Sequence, residues 1–293
     1  MQNVDAKSVP SVSIVIPTYG RKQFLMEAVA SVIKQTFTNW ELYIVDDASP
    51  IPVEEKQFAD RRIRVLRHEC NKGPGAARNS GAAVARGEWL AFLDDDDLWD
   101  ENRLECALKW ATHKQAEICV TWTRPMEVAA SQYIRGRSLE GDCHAEIMTA
   151  TSPHFGATMI LRQAFVPLNE SYQACEDLDW WIRITKRASV TTVPVPLHLW
   201  RRHDSPRHRT DISERIAQSW RLLRDHRDYF QAYPAASAFR LFRLGYMLQR
   251  SGQYGEAVTA YWRVVTGNQV APHLRAAAAR RLIEVTPRAW FSS

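Results

Sequence analysis

Long hydrophobic runs are missing from this chain of 293 residues. The most apolar strand-like stretches, Val12–Ile16 and Trp89–Leu93, hold about five residues each, whereas a membrane-spanning helix needs ~20. The first residues, Met1–Asp5, also lack the basic flank and the apolar core of a secretory signal peptide. The sequence therefore predicts a cytoplasmic protein.

Cysteine is sparse and follows no disulfide or metal-binding pattern. The five cysteines are an odd number and include no Cys-x-x-Cys pair, which argues against a disulfide framework and against a thiolate zinc site. The glycine patterns of dinucleotide-binding folds (Gly-x-Gly-x-x-Gly) and of P-loops (Gly-x-x-x-x-Gly-Lys) are missing as well. Hydride transfer and P-loop ATP hydrolysis are therefore not supported.

Lysine is absent after Lys186, and all 16 basic residues of the segment 201–293 are arginine. This segment has 7 acidic residues and a net charge of +9, whereas residues 1–200 carry 22 basic and 26 acidic residues, a net charge of −4. Arginine binds phosphate and carboxylate groups in bidentate fashion, so an anionic partner is predicted for the C-terminal end. A solvated, Arg-rich helical face explains the same composition.

Strand-like and helix-like segments alternate in the first half of the chain. This alternation predicts an α/β domain with a mostly parallel, doubly wound sheet. The predicted strands are Val12–Ile16, Glu41–Val45, Ile63–Leu66 and Trp89–Leu93, and the predicted helices are Phe24–Gln35 and Gly75–Ala85. Ligands of such sheets bind beyond the carboxyl ends of the strands, and polar or acidic residues follow three of these strands.

The second half changes to helices only, which predicts two domains, 9–212 and 213–293. Residues 124–150 show little periodicity and indicate loop with short helix. The further predicted elements are a strand at Ala157–Leu161, a helix at Glu176–Arg187, one or two strands in Val190–Trp200 broken by Pro194 and Pro196, and helices at Ile216–Phe230, Ala235–Arg250, Tyr254–Val265 and Pro272–Ile283. Two of these helices match a tetratricopeptide-type hairpin, although close packing at Gly245 and Ala257 explains the pattern more simply.

Four consecutive aspartates, Asp94–Asp97, follow the predicted strand at Trp89–Leu93. Desolvated carboxylates in contact repel one another strongly, so such a run needs a cation or open water. Asp94 and Asp96 can face the same side of an extended segment and form a hard oxygen site suited to Mg²⁺ or Mn²⁺. A solvated acidic turn is the alternative, and the register of the metal ligand within the run is open by one position.

A glycine-rich segment with basic residues, Asn71–Asn79, leads into the predicted helix at Gly75–Ala85. Backbone N–H groups at a helix N-terminus attract anions, and the helix dipole favours them further. Taken with the acidic run, this segment predicts a metal-bound diphosphate ligand.

Six segments together resemble the family-2 inverting glycosyltransferases of the GT-A fold. They occur in the family's order and are Ser13–Arg21, Ser31–Phe37, Val45–Ser49, Gly75–Glu88, Leu93–Trp99 and Cys175–Arg183. The resemblance implies a mixed, mostly parallel GT-A sheet flanked by helices, to which this chain adds a C-terminal all-helical extension. The family's processive members carry Gln-x-x-Arg-Trp and transmembrane helices; this sequence shows neither, which favours addition of one sugar per encounter.

The resemblance also implies a role for each matching residue. The residues implied to bind the nucleotide-sugar are Pro17, Thr18, Tyr19, Arg21, Asp46, Asp47, Arg78, Asp94 and Asp95. The implied ligands of a divalent metal, Mn²⁺ or Mg²⁺, are Asp96, Asp94 and His203, although a surface histidine in a basic loop explains His203 as well. Asp177, beside Glu176, is implied to be the catalytic base, although this pair also suits the start of any helix.

The implied reaction moves a single sugar from a nucleoside-diphosphate sugar, with UDP expected, to a hydroxyl of a glycan or lipid-linked glycan. The Arg-rich C-terminal helices, with their aromatic residues, predict peripheral contact with an anionic membrane surface at the inner face of the cell membrane. These aromatic residues are Trp220, Tyr229, Phe230 and Trp262. No nucleic-acid partner is expected.

Two alternatives stay open at this point. A sugar-phosphate nucleotidyltransferase requires a glycine-rich, basic loop directly after the first strand, where this chain has one glycine, Gly20, followed by Arg21. A non-catalytic module that binds nucleotide-sugars or proteins is the other alternative.

Overall fold

The computed structural model describes residues 9–129, 132, 136–202 and 211–290. Within these residues the chain forms two compact units. The sheet unit comprises the described residues of 9–142, 153–170 and 187–202, and the helical unit comprises those of 143–152, 171–186 and 211–290. The helical unit thus joins two earlier segments to the C-terminal helices, and the boundary between 212 and 213 stays a prediction.

The described part of the sheet unit is built around an eight-stranded sheet. Its strands are β1 (Val12–Thr18), β2 (Trp40–Asp46), β3 (Ile63–Arg67), β4 (Trp89–Phe92), β5 (Leu98–Trp99), β6 (Ile118–Pro125), β7 (Thr158–Leu161) and β8 (Val190–Trp200). They lie in the order β3-β2-β1-β4-β7-β6-β8-β5; β3, β2, β1 and β4 are parallel, as are β6 and β8, and the remaining pairs are antiparallel. This mixed, mostly parallel sheet confirms the predicted fold class.

Helices α1 (Lys22–Ile33), α2 (Pro74–Val84) and α3 (Arg103–Lys114) belong to the same unit. Every residue of β1 and β2 is buried, as expected of parallel strands covered on both faces. Helix α2 lies very close to β1, because a Cβ atom added to Gly81 would stand 2.4 Å from a methyl group of Val15. Only glycine permits this approach.

Helix α3 and strand β6 are not predicted by the sequence patterns. Helix α3 buries Leu104, Ala107 and Ala111 at helical spacing, but charged and polar residues on its other face weaken the signal. Strand β8 runs without interruption through Pro194 and Pro196, where a break is predicted. Prolines cannot donate to a strand ladder, and the pairing of β6 with β8 accommodates them with a register shift.

The helical unit contains the remaining helices of the described residues. They are α4 (Glu176–Ile184), α5 (Ile212–Asp225), α6 (Arg227–Ala232), α7 (Pro234–Arg250), α8 (Tyr254–Thr266) and α9 (Pro272–Trp290). The single helix predicted for Ile216–Phe230 is therefore two helices, α5 and α6, which meet at His226. Helices α7 and α8 approach closely, because a Cβ atom on Gly245 would lie 2.8 Å from the ring of Tyr261. Close packing thus accounts for the small residue, and the tetratricopeptide likeness stays a prediction.

No helix in the part of the chain that the structure describes is both long and apolar enough to cross a bilayer. All five cysteines lie in that part and are free thiols. Of the aromatic residues expected at a membrane surface, Trp262 is exposed, whereas Tyr229 and Phe230 are buried. The expectation is therefore wrong for Tyr229 and Phe230, whose rings pack inside the helical unit because apolar area gains more from a core than from water.

Candidate active site

The carboxyl ends of adjacent parallel strands bring the predicted nucleotide-sugar residues to one edge of the sheet. Strand β1 ends at Thr18, β2 ends at Asp46, and the acidic run follows β4 after Leu93. Because β2, β1 and β4 are neighbours in the sheet, these ends lie side by side. The Thr18 hydroxyl donates a hydrogen bond of 2.7 Å to Asp95 and so joins the first strand to the acidic run.

Arg78 and Arg21 form ion pairs with carboxylates of the acidic run. Arg78 donates to Asp94 at 2.6 Å, and one Nη of Arg21 reaches both Asp95 at 3.1 Å and Asp96 at 2.7 Å. Burial raises the pKa of Asp95 to about 6, and the charges of its two acidic neighbours add to this effect against the opposing contacts. The site therefore concentrates negative charge, which favours a cation.

The acids expected to bind a metal fit a hard divalent cation. Asp94 and Asp96 supply carboxylate oxygens, the donor type that Mg²⁺ and Mn²⁺ prefer. Each of the two carboxylates is paired with a guanidinium group. His203, the third expected ligand, lies outside the described residues.

Asp46 shapes the turn after β2 rather than facing open solvent. Its buried carboxylate accepts hydrogen bonds from the backbone N–H groups of Ser49 at 2.9 Å and Val53 at 3.1 Å, and from the guanidinium of Arg67. Burial alone would raise the pKa of Asp46, but these hydrogen bonds outweigh it and hold the pKa below its ordinary value. Asp46 therefore stays ionised and supports the loop that follows it.

Asp47 connects β2 to the start of α2. Its carboxylate accepts hydrogen bonds from the backbone N–H groups of Lys72 at 2.9 Å and Gly73 at 2.8 Å, and Nδ1 of His68 lies 2.7 Å away. Nε2 of the same histidine contacts the Ser80 hydroxyl at 2.8 Å. A carboxylate offers about four acceptor positions, so Asp47 keeps capacity for one further donor.

The remaining predicted donor-site residues occupy different environments. Pro17 pairs with Val45 inside the sheet, whereas the Tyr19 side chain is 42% exposed and presents its ring to solvent. Arg78 is buried, and its guanidinium stands 4.8 Å from the centre of the Phe155 ring. An exposed aromatic ring beside anchored acids suits stacking on a nucleobase.

Sequence reasoning missed several polar residues of this edge. His68 and Arg67 lie at the end of β3, and Ser49 follows β2. Their position at the carboxyl end of a strand is the one feature of the sequence that could have marked them as site residues. Ser49 fixes the loop after β1, because its hydroxyl accepts a hydrogen bond of 2.8 Å from the backbone N–H of Gly20, which has a φ of +72°. Nothing in their residue types marks them in advance, since each acts through a partner distant in sequence.

The predicted catalytic pair, Glu176 and Asp177, begins helix α4 in the helical unit. Oδ1 of Asp177 accepts a 2.8 Å hydrogen bond from the backbone N–H of Leu178. Arg240, in the same unit, donates to the carbonyl of Ala150 at 3.0 Å. Burial lowers the pKa of Arg240 to about 10, while the charge of Asp177 acts in the opposite direction. Asp177 therefore lies within electrostatic reach of Arg240, a half-buried arginine.

Asp179, two residues further along α4, is buried, and its carboxylate contacts two side chains of the same unit. Its carboxylate accepts hydrogen bonds of 2.8 Å from Nε of Arg183, and Nε2 of His226 lies 2.8 Å from its other oxygen. Burial would raise the pKa of Asp179, but these two partners outweigh it and hold the pKa below its ordinary value. The sequence pattern predicts Leu178 as inward-facing at this turn, whereas Asp179 is the buried residue and Leu178 is half-buried.

Solved structures share this fold. Residues 1–349 of S. aureus TarS in complex with UDP-GlcNAc match with a TM-score of 0.66 at 16% identity, covering 94% of this chain and 88% of that one. The mannosyltransferase PcManGT from Pyrobaculum calidifontis, in complex with GDP-Man and Mn²⁺, matches with a TM-score of 0.57 at 18% identity, covering 97% and 84%. At these identities the likeness shows the fold, which is the GT-A type.

Curated relatives match the N-terminal part of the chain. The segment is 43% identical over 96 residues to the UDP-Glc:alpha-D-GlcNAc-diphosphoundecaprenol beta-1,3-glucosyltransferase WfgD of Escherichia coli, covering 32% of this chain and 38% of that protein. It is 39% identical over 113 residues to the putative colanic acid biosynthesis glycosyl transferase WcaA of Escherichia coli K12, covering 37% and 39%. The match thus spans under two fifths of the length of each relative.

The family model described as glycosyl transferase family 2 matches residues 13–162, which is more than half of the chain. This range contains β2, β4, all of β1 except Val12, and the whole acidic run that meets these strands at the sheet edge. On this match, the chain belongs to glycosyl transferase family 2.

Proposed function

We propose that this protein is an inverting glycosyltransferase of bacterial polysaccharide biosynthesis. It moves a single sugar from a nucleoside-diphosphate sugar, with UDP as the expected nucleotide, to a hydroxyl of a glycan or lipid-linked glycan. The observation that carries the proposal is the set of three aspartates, Asp94–Asp96, held by Thr18, Arg21 and Arg78 at the carboxyl edge of a parallel sheet. The family match and the names of the relatives agree with it.

The donor's groups have matching residues at this edge. The exposed ring of Tyr19 is suited to stack on the base, and Asp47, which has spare acceptor capacity, to accept its N–H. Arg21 and Arg78 already lie against the acids and bring guanidinium groups to the place where a diphosphate would lie. Asp94 and Asp96 would hold a divalent metal, which when bound neutralises negative charge on the leaving diphosphate.

The acceptor requires a base, and Asp177 is the proposed one. Its carboxylate would take the proton of the acceptor hydroxyl while the hydroxyl oxygen attacks the anomeric carbon from the face opposite the leaving group. The carbon–oxygen bond to the diphosphate breaks in the same step, so the anomeric configuration inverts. Asp177 supports this role through its place at the N-terminal end of α4, where the helix dipole favours negative charge.

A panel of nucleotide-sugars, scored for release of nucleoside diphosphate with Mn²⁺, Mg²⁺ or chelator present, tests the donor and the metal. We expect release from one donor class, dependent on metal, and a fall in kcat/KM of at least ~100-fold in Asp96→Asn. Release that is equally fast in chelator and in Asp96→Asn would contradict the metal assignment.

Asp177→Asn tests the base and separates catalysis from the alternative of a binding module. We expect kcat to fall by at least ~100-fold while the nucleotide-sugar still binds. Asp228→Asn is the matched control, because Asp228 is an exposed aspartate of the same unit, and it should leave both quantities unchanged. Unchanged transfer by Asp177→Asn would remove the assignment, and a wild-type protein that binds donor without turnover would favour the binding module.

A lipid-linked acceptor implies contact with a membrane surface, and the helical unit has features that support it. A cavity of about 190 Å³ there is lined by apolar, aromatic and basic side chains. Its lining residues are Trp220, Leu223, Arg227, Phe230, Gln231, Ser237, Leu241 and Arg263. Arginine suits an anionic headgroup, and 16 arginines against 7 acids in 201–293 favour an anionic surface.

Sedimentation with vesicles tests this part of the proposal. We expect the protein to sediment with vesicles that contain anionic lipid at low salt, to remain in solution with neutral vesicles, and to bind more weakly when Arg227 and Arg263 are both replaced by Gln. Absence of binding to anionic vesicles at low salt would refute membrane contact without touching the donor assignment.

A further inference from the structure

Three potential metal ligands meet inside the sheet unit, apart from the acids assigned to the donor. Asp97, His154 and His198 each offer one ligand atom, and these atoms lie within 4.8 Å of one another. Asp97 and His198 are almost fully buried, with 2% and 0% of the side chain exposed, and His154 is half-buried. A cluster of two imidazoles and one carboxylate at this depth needs an explanation, because charged and polar groups are costly to bury without partners.

The other atoms of two of these side chains already have partners. Oδ1 of Asp97 accepts a hydrogen bond of 2.9 Å from the backbone N–H of Arg201, and Nδ1 of His198 lies 3.0 Å from the hydroxyl of Thr123. Metal-bound histidines use the ring nitrogen away from the metal in this way, which sets the tautomer and the ring orientation. One oxygen of Asp97 and one nitrogen of His198 therefore remain to face each other.

Nε2 of His198 is the atom that most strongly indicates a metal ligand. Its Nε2 is buried and has no hydrogen-bond partner among the described residues, although it stands only 3.1 Å from Oδ2 of Asp97. The ring of His154 lies close by, with the two imidazole centres 5.6 Å apart. Gly156 packs directly against this side of the ring, because a Cβ atom on Gly156 would stand 2.5 Å from Nε2 of His198.

We propose that Asp97, His154 and His198 bind one Zn²⁺ ion. Two imidazole nitrogens and one carboxylate oxygen form a borderline donor set that favours Zn²⁺ over Mg²⁺, and they leave one coordination position for a further donor. Zinc bonds of about 2.0–2.2 Å place tetrahedral ligands about 3.3–3.6 Å apart, so small side-chain rotations from the present separation suffice. This site is distinct from the hard oxygen site of Asp94 and Asp96.

The proposed site lies between the end of the acidic run and the strand pair β5–β8. Asp97 precedes β5, His198 lies in β8 opposite Trp99, and the backbone N–H of Asp97 donates to the carbonyl of Asp94 at 3.1 Å. Nε of Arg201 also donates to the carbonyl of Asp96 at 2.9 Å. A metal at this point would therefore hold the end of the acidic run against the strand pair β5–β8.

The test uses the full-length protein, stripped of metal by chelator and dialysed, without nucleotide. Titration with CoCl₂ should produce the visible absorption of tetrahedral Co²⁺, saturating at one ion per chain, and ZnCl₂ should displace it. His198→Gln and His154→Gln should each weaken Co²⁺ binding at least ~100-fold, because even second-shell losses cost roughly 10–100-fold. Circular dichroism of each metal-free variant shows whether it is folded.

Two controls separate this site from other metal binding. His113→Gln, an exposed histidine of α3, and Asp96→Asn, in the donor site, should both retain the Co²⁺ spectrum and its affinity. The proposal is overturned if wild-type protein binds no Co²⁺ in tetrahedral geometry. It is equally overturned if folded His154→Gln, in which the half-buried side chain is replaced, binds Co²⁺ as tightly as wild type.

Discussion

Replacing Asp179 by Asn should destabilise the helical unit substantially, although it changes one atom. The Asp179 side chain is 4% exposed and receives two hydrogen bonds of 2.8 Å, one from Arg183 and one involving His226. Asparagine can still accept from one of these donors, but its NH₂ group then meets the other donor. Loss of a hydrogen bond to a buried charge costs about 1.5–3 kcal/mol, and breaking a fully buried pair about 3–5 kcal/mol.

The expected loss lies near the lower of these ranges. Arg183 is 32% exposed, so water can solvate its guanidinium once the carboxylate is gone, and we expect a fall of about 2–3 kcal/mol in the free energy of unfolding. With a urea m-value of about 2–3 kcal/mol/M, the midpoint should fall by roughly 1 M. Hydrogen exchange of α4 amides, followed alongside the urea titration, reports on this unit alone.

The pH dependence follows from the lowered pKa of Asp179. A carboxyl group whose pKa is lower in the folded state contributes stability above its unfolded value of 3.8, and this contribution is lost as the pH falls through the folded pKa. The difference between wild type and Asp179→Asn should therefore be full at pH 7 and shrink on acidification below 3.8. Asp228→Asn, on an exposed surface, should stay within about 0.5 kcal/mol of wild type. An Asp179→Asn midpoint equal to that of Asp228→Asn would refute the reasoning.

Two further predictions concern packing and donor binding. Gly245→Ala should lower the free energy of unfolding by about 1–3 kcal/mol, because its methyl group would overlap the Tyr261 ring. Gly255→Ala, where the added methyl group would have no atom within 4 Å, should raise the free energy of unfolding by about 0.4–1 kcal/mol. Equal effects of the two substitutions in urea titrations would contradict the packing argument. Tyr19→Ala should weaken donor binding by about 1–3 kcal/mol through lost stacking, and Tyr19→Phe should retain it; calorimetry that shows equal losses would point to the hydroxyl instead.

Periodicity predicts the first four strands of the sheet and the helices α1 and α2 to within a few residues. It succeeds at β1, β2 and β4 because these strands are short, apolar and followed by polar residues, so sequence and burial agree. It fails at α3, where a narrow buried stripe of Leu104, Ala107 and Ala111 is diluted by charge, and at β8, where Pro194 and Pro196 suggest an interruption that a register shift absorbs.

The candidate site divides in the same way. The acidic run Asp94–Asp97 is visible in the sequence because four adjacent carboxylates have few structural explanations. The part of His198 and Thr123 in the proposed zinc site is not visible in the sequence, because the two residues are 75 positions apart and only the fold brings them into contact. The burial of Asp179 is hidden for a similar reason, since His226 lies 47 positions further along the chain.

The hydrogen bonds of Asp47 limit how the nucleotide preference of this protein can change by mutation. The carboxylate that we propose as the acceptor for the base also ties Lys72 and Gly73 to the end of β2, while His68 ties the same point to Ser80 in α2. A mutation that changes base preference at Asp47 would therefore also release the start of α2. A change of nucleotide specificity is more accessible at Tyr19, because its ring is exposed and does not hold the start of α2 in the described structure.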